Sequence, residues 1–129
     1  MKRIITFGTF DVFHIGHLRI LERARAMGGQ LVVGVSTDAL NLAKKGRDPV
    51  YPQDQRAEIV RGLRCVDEVF FEESLEQKRD YIVAHCAQVL VMGQDWEGRF
   101  DELREVCEVV YLERTPAVST TATIEKIRL

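Results

Sequence analysis

Ile4-Ile5-Thr6-Phe7-Gly8-Thr9-Phe10-Asp11-Val12-Phe13-His14-Ile15-Gly16-His17 is the stretch that decides how this chain folds. Four apolar or β-branched residues read as a strand, and a glycine ends it. Leu18, Leu21, Ala24 and Met27 then recur at helical spacing, and Gly28-Gly29 is a natural helix stop. The segment is therefore a strand, a loop with two histidines, and a helix. The same alternation continues outward. Leu31-Val32-Val33-Gly34-Val35 reads as a second buried strand, followed by a short helix near Thr37 to Leu42 and a polar Gly/Pro stretch from Lys44 to Gln53. Ala57, Val60 and Leu63 mark another helix, and Glu68-Val69-Phe70-Phe71 a third strand. Ser74-Leu75-Glu76-Gln77 has capping-box spacing, with Leu75, Ile82 and Val83 carrying that helix onward. Val89-Leu90-Val91-Met92 and Val109-Val110-Tyr111-Leu112 supply strands four and five, and Ser119 is placed to cap a last helix bearing Ala122, Ile124 and Ile127. Strands that are apolar throughout and alternate with helices predict a five-stranded parallel sheet covered on both faces. The expected fold is thus α/β, a single Rossmann-like domain over residues 1–129.

Composition agrees with one such domain. The chain has 129 residues, 46% of them hydrophobic, which is enough for one core. Its net charge is −2 with both signs spread along the chain, so a nucleic-acid binder working through a broad basic field is not expected. Thirteen arginines stand against five lysines, a bias that suits bidentate anion contacts. No apolar run approaches the ~20 residues of a membrane-spanning helix, and the opening residues do not read as a signal peptide. Cys65, Cys86 and Cys107 are odd in number and form no CxxC pair, and are expected to be reduced, partly buried thiols in a cytoplasmic protein.

Ligands of parallel α/β sheets bind beyond the carboxyl ends of the strands, so residues that follow strands carry the chemistry. Gly8 to His17 leaves the first strand and opens the first helix, where backbone N–H groups and the helix dipole favour a phosphate. Gly8 and Gly16 permit close backbone approach. His14 and His17, on either side of Gly16, can turn their imidazoles toward one anion. The residues alone leave two other readings open: a metal pair, for which no third ligand stands at an obvious spacing, or two histidines satisfied within the fold. Ser119-Thr120-Thr121 alone reads as an ordinary helix cap, Trp96 alone as a core aromatic, and Lys44 and Lys78 alone as solvated surface lysines. No GxxxxGK[ST] and no GxGxxG occurs, which removes the main support for kinase or dehydrogenase readings.

Thr9-Phe10-Asp11 with His14-Ile15-Gly16-His17 resembles the HxGH signature of the nucleotidyltransferase superfamily. Together with Asp95-Trp96-Glu97-Gly98 and Arg114-Thr115 ahead of Ser119-Thr120-Thr121, the chain resembles the cytidylyltransferase branch, and within it the bacterial glycerol-3-phosphate cytidylyltransferases, almost end to end. That resemblance implies transfer of a cytidylyl group from CTP, with Mg2+ on its triphosphate, to a phosphoalcohol such as sn-glycerol 3-phosphate. The products would be CDP-glycerol, destined for cell-surface polymers such as teichoic acid, and pyrophosphate. His14, His17 and Arg114 would be catalytic. Thr9, Phe10, Asp11, Gly16, Arg64, Gly93, Asp95, Trp96, Thr115, Ser119, Thr120 and Thr121 would join them in binding the nucleotide, and Lys44 and Lys78 would hold the acceptor phosphate. No resident protein-bound metal, no nucleic acid and no membrane insertion are implied, and the assembly would be a homodimer. Asp38 and Asp67 are expected to keep order rather than to react.

Departures from the branch bear on the acceptor and, to a lesser degree, on the base. Leu75 stands where a tryptophan is common, Pro116-Ala117 replaces Glu-Gly, and Gly46 to Pro52 looks rather like the loop of enzymes that adenylylate heptose phosphate. The alternatives are therefore a different alcohol or sugar phosphate as acceptor, with CTP or ATP as donor, and a catalytically silent nucleotide-binding module.

Overall fold

The computed structural model describes residues 2–113 and 120–128. It contains β1 (Arg3–Gly8), α1 (Ile15–Ala26), β2 (Gln30–Ser36), α2 (Asp38–Lys45), α3 (Gln53–Arg61), β3 (Glu68–Glu72), α4 (Lys78–Ala84), β4 (Val89–Gly93), β5 (Glu108–Leu112) and α5 (Thr120–Arg128). Short 3-10 turns at Gln94–Trp96 and Asp101–Glu105 fill the connection from β4 to β5. The five strands form one sheet in the order β3-β2-β1-β4-β5, and every pairing is parallel.

The continuous apolar strands are explained by the two cores that they separate. On one face Ile4, Val33, Val35, Val89 and Val91 pack with Leu21 and Ala24 of α1 and Ala57 and Val60 of α3. On the other, Ile5, Val32, Leu90 and Met92 pack with Ile82 of α4 and with Leu103. Alternate residues of one strand thus serve opposite faces, and each face needs its own apolar set. α1 and α3 carry the chain from β1 to β2 to β3 on one face. α4 then returns it across the other face to β4, on the far side of β1. The direction of winding changes between β1 and β4, and a crevice opens there at the carboxyl edge.

Two sequence expectations change. The fourth helix begins at Lys78 rather than at a Ser74 cap, because Ser74 Oγ donates to Glu76 Oε2 and Gln77 holds the cap position without a side-chain capping bond. Cys65 and Cys107 are half-buried thiols, whereas Cys86 is exposed at the end of α4. The cap assigned to Ser119 lies outside the described residues. No helix among the described residues is long and apolar enough to cross a membrane.

Gly34 shows how tightly the second core is fitted to β2. A Cβ there would meet Phe7 Cδ1 and Phe70 Cζ, each at 2.7 Å, and these rings already pack edge to face with centroids 5.8 Å apart. Gly34→Ala is expected to destabilise the fold by about 1–3 kcal/mol through overpacking, measured by thermal unfolding. A neutral result would mean that the two rings can yield.

Candidate active site

β1 ends at Gly8, and the chain turns sharply before α1. Phe10 and Val12 take positive φ values of 53° and 46°, a region costly for any residue with a Cβ and most of all for a β-branched valine. The loop holds that shape because its polar groups are taken up by side chains of α2 and α3 and by the backbone of the 46–52 stretch. The Arg56 guanidinium, 0% exposed, donates to Thr9 O and Ser36 O at 2.8 Å each, to Tyr51 O at 2.9 Å and to Asp38 Oδ1 at 2.7 Å. Asp11 Oδ1 accepts from Val12 N and Tyr51 N, and its Oδ2 from Val50 N. Thr9 Oγ1 donates to Oδ1 of the buried Asn41, whose Nδ2 donates to Ser36 O and Thr37 O. The loop after β1, the end of β2 and the 46–52 stretch are thereby one hydrogen-bonded unit.

The two histidines complete the start of α1. His14 is the N-cap residue: its Nδ1 accepts from Gly16 N at 3.0 Å, and His17 Nδ1 accepts from His14 N at 3.2 Å. A reciprocal cap usually joins a Ser or Thr with a Glu or Gln; here two imidazoles fill both roles. An acceptor nitrogen carries no proton, so a neutral ring must bear it on Nε2. Both rings then present an Nε2–H donor. They stack with centroids 3.9 Å apart, and burial first, then the neighbouring His14, pushes His17 down to about 4, with Asp11 opposing. Burial also lowers His14. Near pH 7 the pair is neutral and donating.

These groups border a cleft of about 760 Å³. Gly8, Thr9, Phe10, Asp11, His14, Gly16 and His17 form one side, Gly93, Asp95 and Trp96 another, and Lys44, Lys78 and Thr121 also reach it. Trp96 is half-buried against Phe100, and Arg99 lies over its ring at 5.5 Å. Burial lowers Lys44 to about 8, an effect that Glu72 partly offsets, and lowers Lys78 with the same opposition from Glu72. Thr120 sits in the first turn of α5, while Arg114, Thr115 and Ser119 lie outside the described residues.

Arg64 is the exception: it is not among the residues that border the cleft. α3 starts at the carboxyl edge and runs back to the amino edge, so the connection after it carries Arg64 away from the cleft, where it is exposed. Asp38 receives Arg56 and the backbone N–H of Gln53, while Asp67 accepts from Leu31 N and pairs with Arg25. Among the described residues no three His, Cys, Asp or Glu side chains gather as a metal-ligand set. Sequence reasoning missed Ser36, Asn41 and Glu72. An asparagine within the apolar pattern of α2 was the one available signal, since glutamates at strand ends are common.

A parallel sheet wound in this order, with a histidine-capped helix facing a cleft at its switch point, is built to hold a nucleotide's phosphates. The chain belongs to the cytidylyltransferase-like family, whose model matches residues 5–126. It is 49% identical over 127 residues to the glycerol-3-phosphate cytidylyltransferase of Bacillus subtilis (strain 168), covering 98% of each chain. It is 46% identical over 121 residues to the enzyme of that name from Staphylococcus aureus (strain NCTC 8325 / PS 47), covering 94% of this chain and 91% of the other. The crystal structure of a lipopolysaccharide core biosynthesis protein from Thermoplasma volcanium GSS1 superposes with a TM-score of 0.76 at 21% identity, over 89% of this chain and 98% of that one, a likeness of fold alone.

Arg56 is the test of how the loop is held. Arg56→Ala would leave three backbone carbonyls and Asp38 without their shared donor, and is expected to cost about 3–5 kcal/mol in urea denaturation. A loss under about 1 kcal/mol would show that water replaces the guanidinium.

Proposed function

We propose that this chain is a glycerol-3-phosphate cytidylyltransferase, which transfers a cytidylyl group from CTP to sn-glycerol 3-phosphate and releases pyrophosphate. The observation that carries the reading is the pair of neutral imidazoles capping α1, in a cleft that also contains Lys44 and Lys78, in a chain 46–49% identical to enzymes of that activity.

An oxygen of the acceptor phosphate attacks the α-phosphorus of CTP in line. The new P–O bond forms as the bond to the bridging oxygen breaks, and pyrophosphate takes the electron pair. Such a reaction asks the protein for alignment and for donors aimed at developing charge. His14 and His17 offer Nε2–H groups to the α- and β-phosphate oxygens. Their place in a backbone cap fixes them before substrate arrives, so little reorganisation is needed as charge grows. Thr9, Phe10, Asp11 and Gly16 shape the loop around the phosphates, and Gly93, Asp95 and Trp96 border the cytosine. Arg114, Thr115, Ser119, Thr120 and Thr121 are assigned to the triphosphate on the strength of the family motif. Mg2+ enters as part of the substrate, on the triphosphate. Lys44 and Lys78 hold the acceptor phosphate as two point charges. The working unit is proposed as a cytoplasmic homodimer that supplies CDP-glycerol for cell-surface polymers.

Two outcomes follow. Pyrophosphate release is expected to be faster with CTP than with ATP at matched magnesium, and faster with glycerol 3-phosphate than with sugar phosphates. Equal or better turnover with ATP would assign the chain to an adenylyl donor, and no turnover with any pair would make it a silent nucleotide binder. Lys44→Ala is expected to lower kcat/KM for the acceptor by about 10- to 100-fold, the loss of one charge-assisted bond, with KM for CTP nearly unchanged. A parallel rise in KM for CTP would overturn the division of the cleft.

A further inference from the structure

Glu72, the last residue of β3, is 1% exposed, although it borders the cleft beside the two lysines. Its Oε2 accepts from Lys78 Nζ at 2.5 Å. Its Oε1 accepts from Ser36 Oγ at 3.3 Å, and the same hydroxyl accepts from Lys44 Nζ at 3.2 Å. Lys78 is 4% exposed, and its ammonium also lies over the rings of Phe7 and Phe100, 4.2 and 5.1 Å from their centroids. One carboxylate thus gathers two cations that come from different helices, α2 and α4.

An ion pair this buried is poor evidence of a stabilising role, because well-packed apolar side chains of equal volume commonly do as well. What the carboxylate supplies is position and charge state. An ammonium has three donors, and Glu72 takes one from Lys78 as Ser36 takes one from Lys44. We propose that Glu72 is a positioning residue for the acceptor phosphate: directly through Lys78, and through Ser36 to Lys44, it fixes both ammonium groups at one wall of the cleft and keeps them charged. The proposal rests on the assignment of the two lysines to the acceptor.

The charged groups facing Lys44 are Glu72, Lys45, Lys78 and Arg56, and Glu72 is the one that favours its protonation. Glu72 likewise opposes the effect of burial on Lys78. With Lys44 already lowered to about 8, neutralising Glu72 would bring loss of its proton into the neutral range.

The test is Glu72→Gln, which keeps the shape and a hydrogen-bond acceptor but removes the charge, assayed from pH 6 to 9 with acceptor and CTP varied separately. The alkaline limb of kcat/KM for glycerol 3-phosphate is expected to move down by about one pH unit, so that KM for the acceptor rises about tenfold at pH 8. KM for CTP stays within about twofold. An unmoved limb, or equal changes for both substrates, would overturn the proposal. Ser36→Ala is the second variant, deciding the matter if Glu72→Gln does not fold: it cuts only the link to Lys44. It is expected to raise KM for the acceptor with little change in kcat, and an unchanged KM would count against the proposal. Lys44→Ala run alongside separates the two levels of the account. If it leaves acceptor use intact, the assignment of the lysines fails; if it impairs acceptor use while neither Glu72→Gln nor Ser36→Ala acts as described, the role of Glu72 alone fails.

Discussion

Everything at the carboxyl edge of this sheet depends on one buried guanidinium. Arg56 is a planar fork of donors, and here its bonds end on Thr9 after β1, Ser36 at the end of β2, Tyr51 before α3 and Asp38 at the start of α2. A lysine could not span those directions. The strained backbone at Phe10 and Val12 costs on the order of 1–3 kcal/mol per residue and persists only if its surroundings over-determine it. Arg56, Asp11 and Asn41 provide that constraint. With the loop so fixed, α1 begins where its first turn faces the cleft.

The electrostatic pattern of the cleft follows from burial. Desolvation penalises charge, so the histidine pair stays neutral near pH 7 and presents N–H groups rather than positive charge. Positive charge is kept instead in Lys44 and Lys78, where Glu72 offsets part of the same penalty. One wall thus contains preorganised neutral donors, suited to charge that develops during reaction. The other contains cations, suited to an anion that arrives fully charged.

Much of this was legible in the sequence. The five strands could be read because parallel strands buried on both faces leave unbroken apolar runs, and the Gly8 to His17 segment because a strand, loop and helix of different period meet there. Helix starts were less legible: Ser74 has the spacing of a cap, but its hydroxyl goes to Glu76. Arg64 and Arg56 lie on or just after the same helix and look alike as letters. Only the direction in which α3 runs separates a guanidinium buried under the carboxyl-edge loops from one exposed toward the opposite edge. Glu72 was illegible because its meaning lies in Ser36, Lys44 and Lys78, which come from three other elements.

The central claim is that His14 and His17 are held by backbone donors at Nδ1 and offer Nε2–H to phosphate. Nitrogen-15 NMR of the imidazoles measures this directly, and with three histidines in the chain two single variants complete the assignment. The account predicts that both rings are neutral Nε2–H tautomers at pH 7, and that His17 takes up a proton only near pH 4. An Nδ1–H tautomer in either ring, or protonation of His17 near its ordinary pKa of about 6.5, would contradict it.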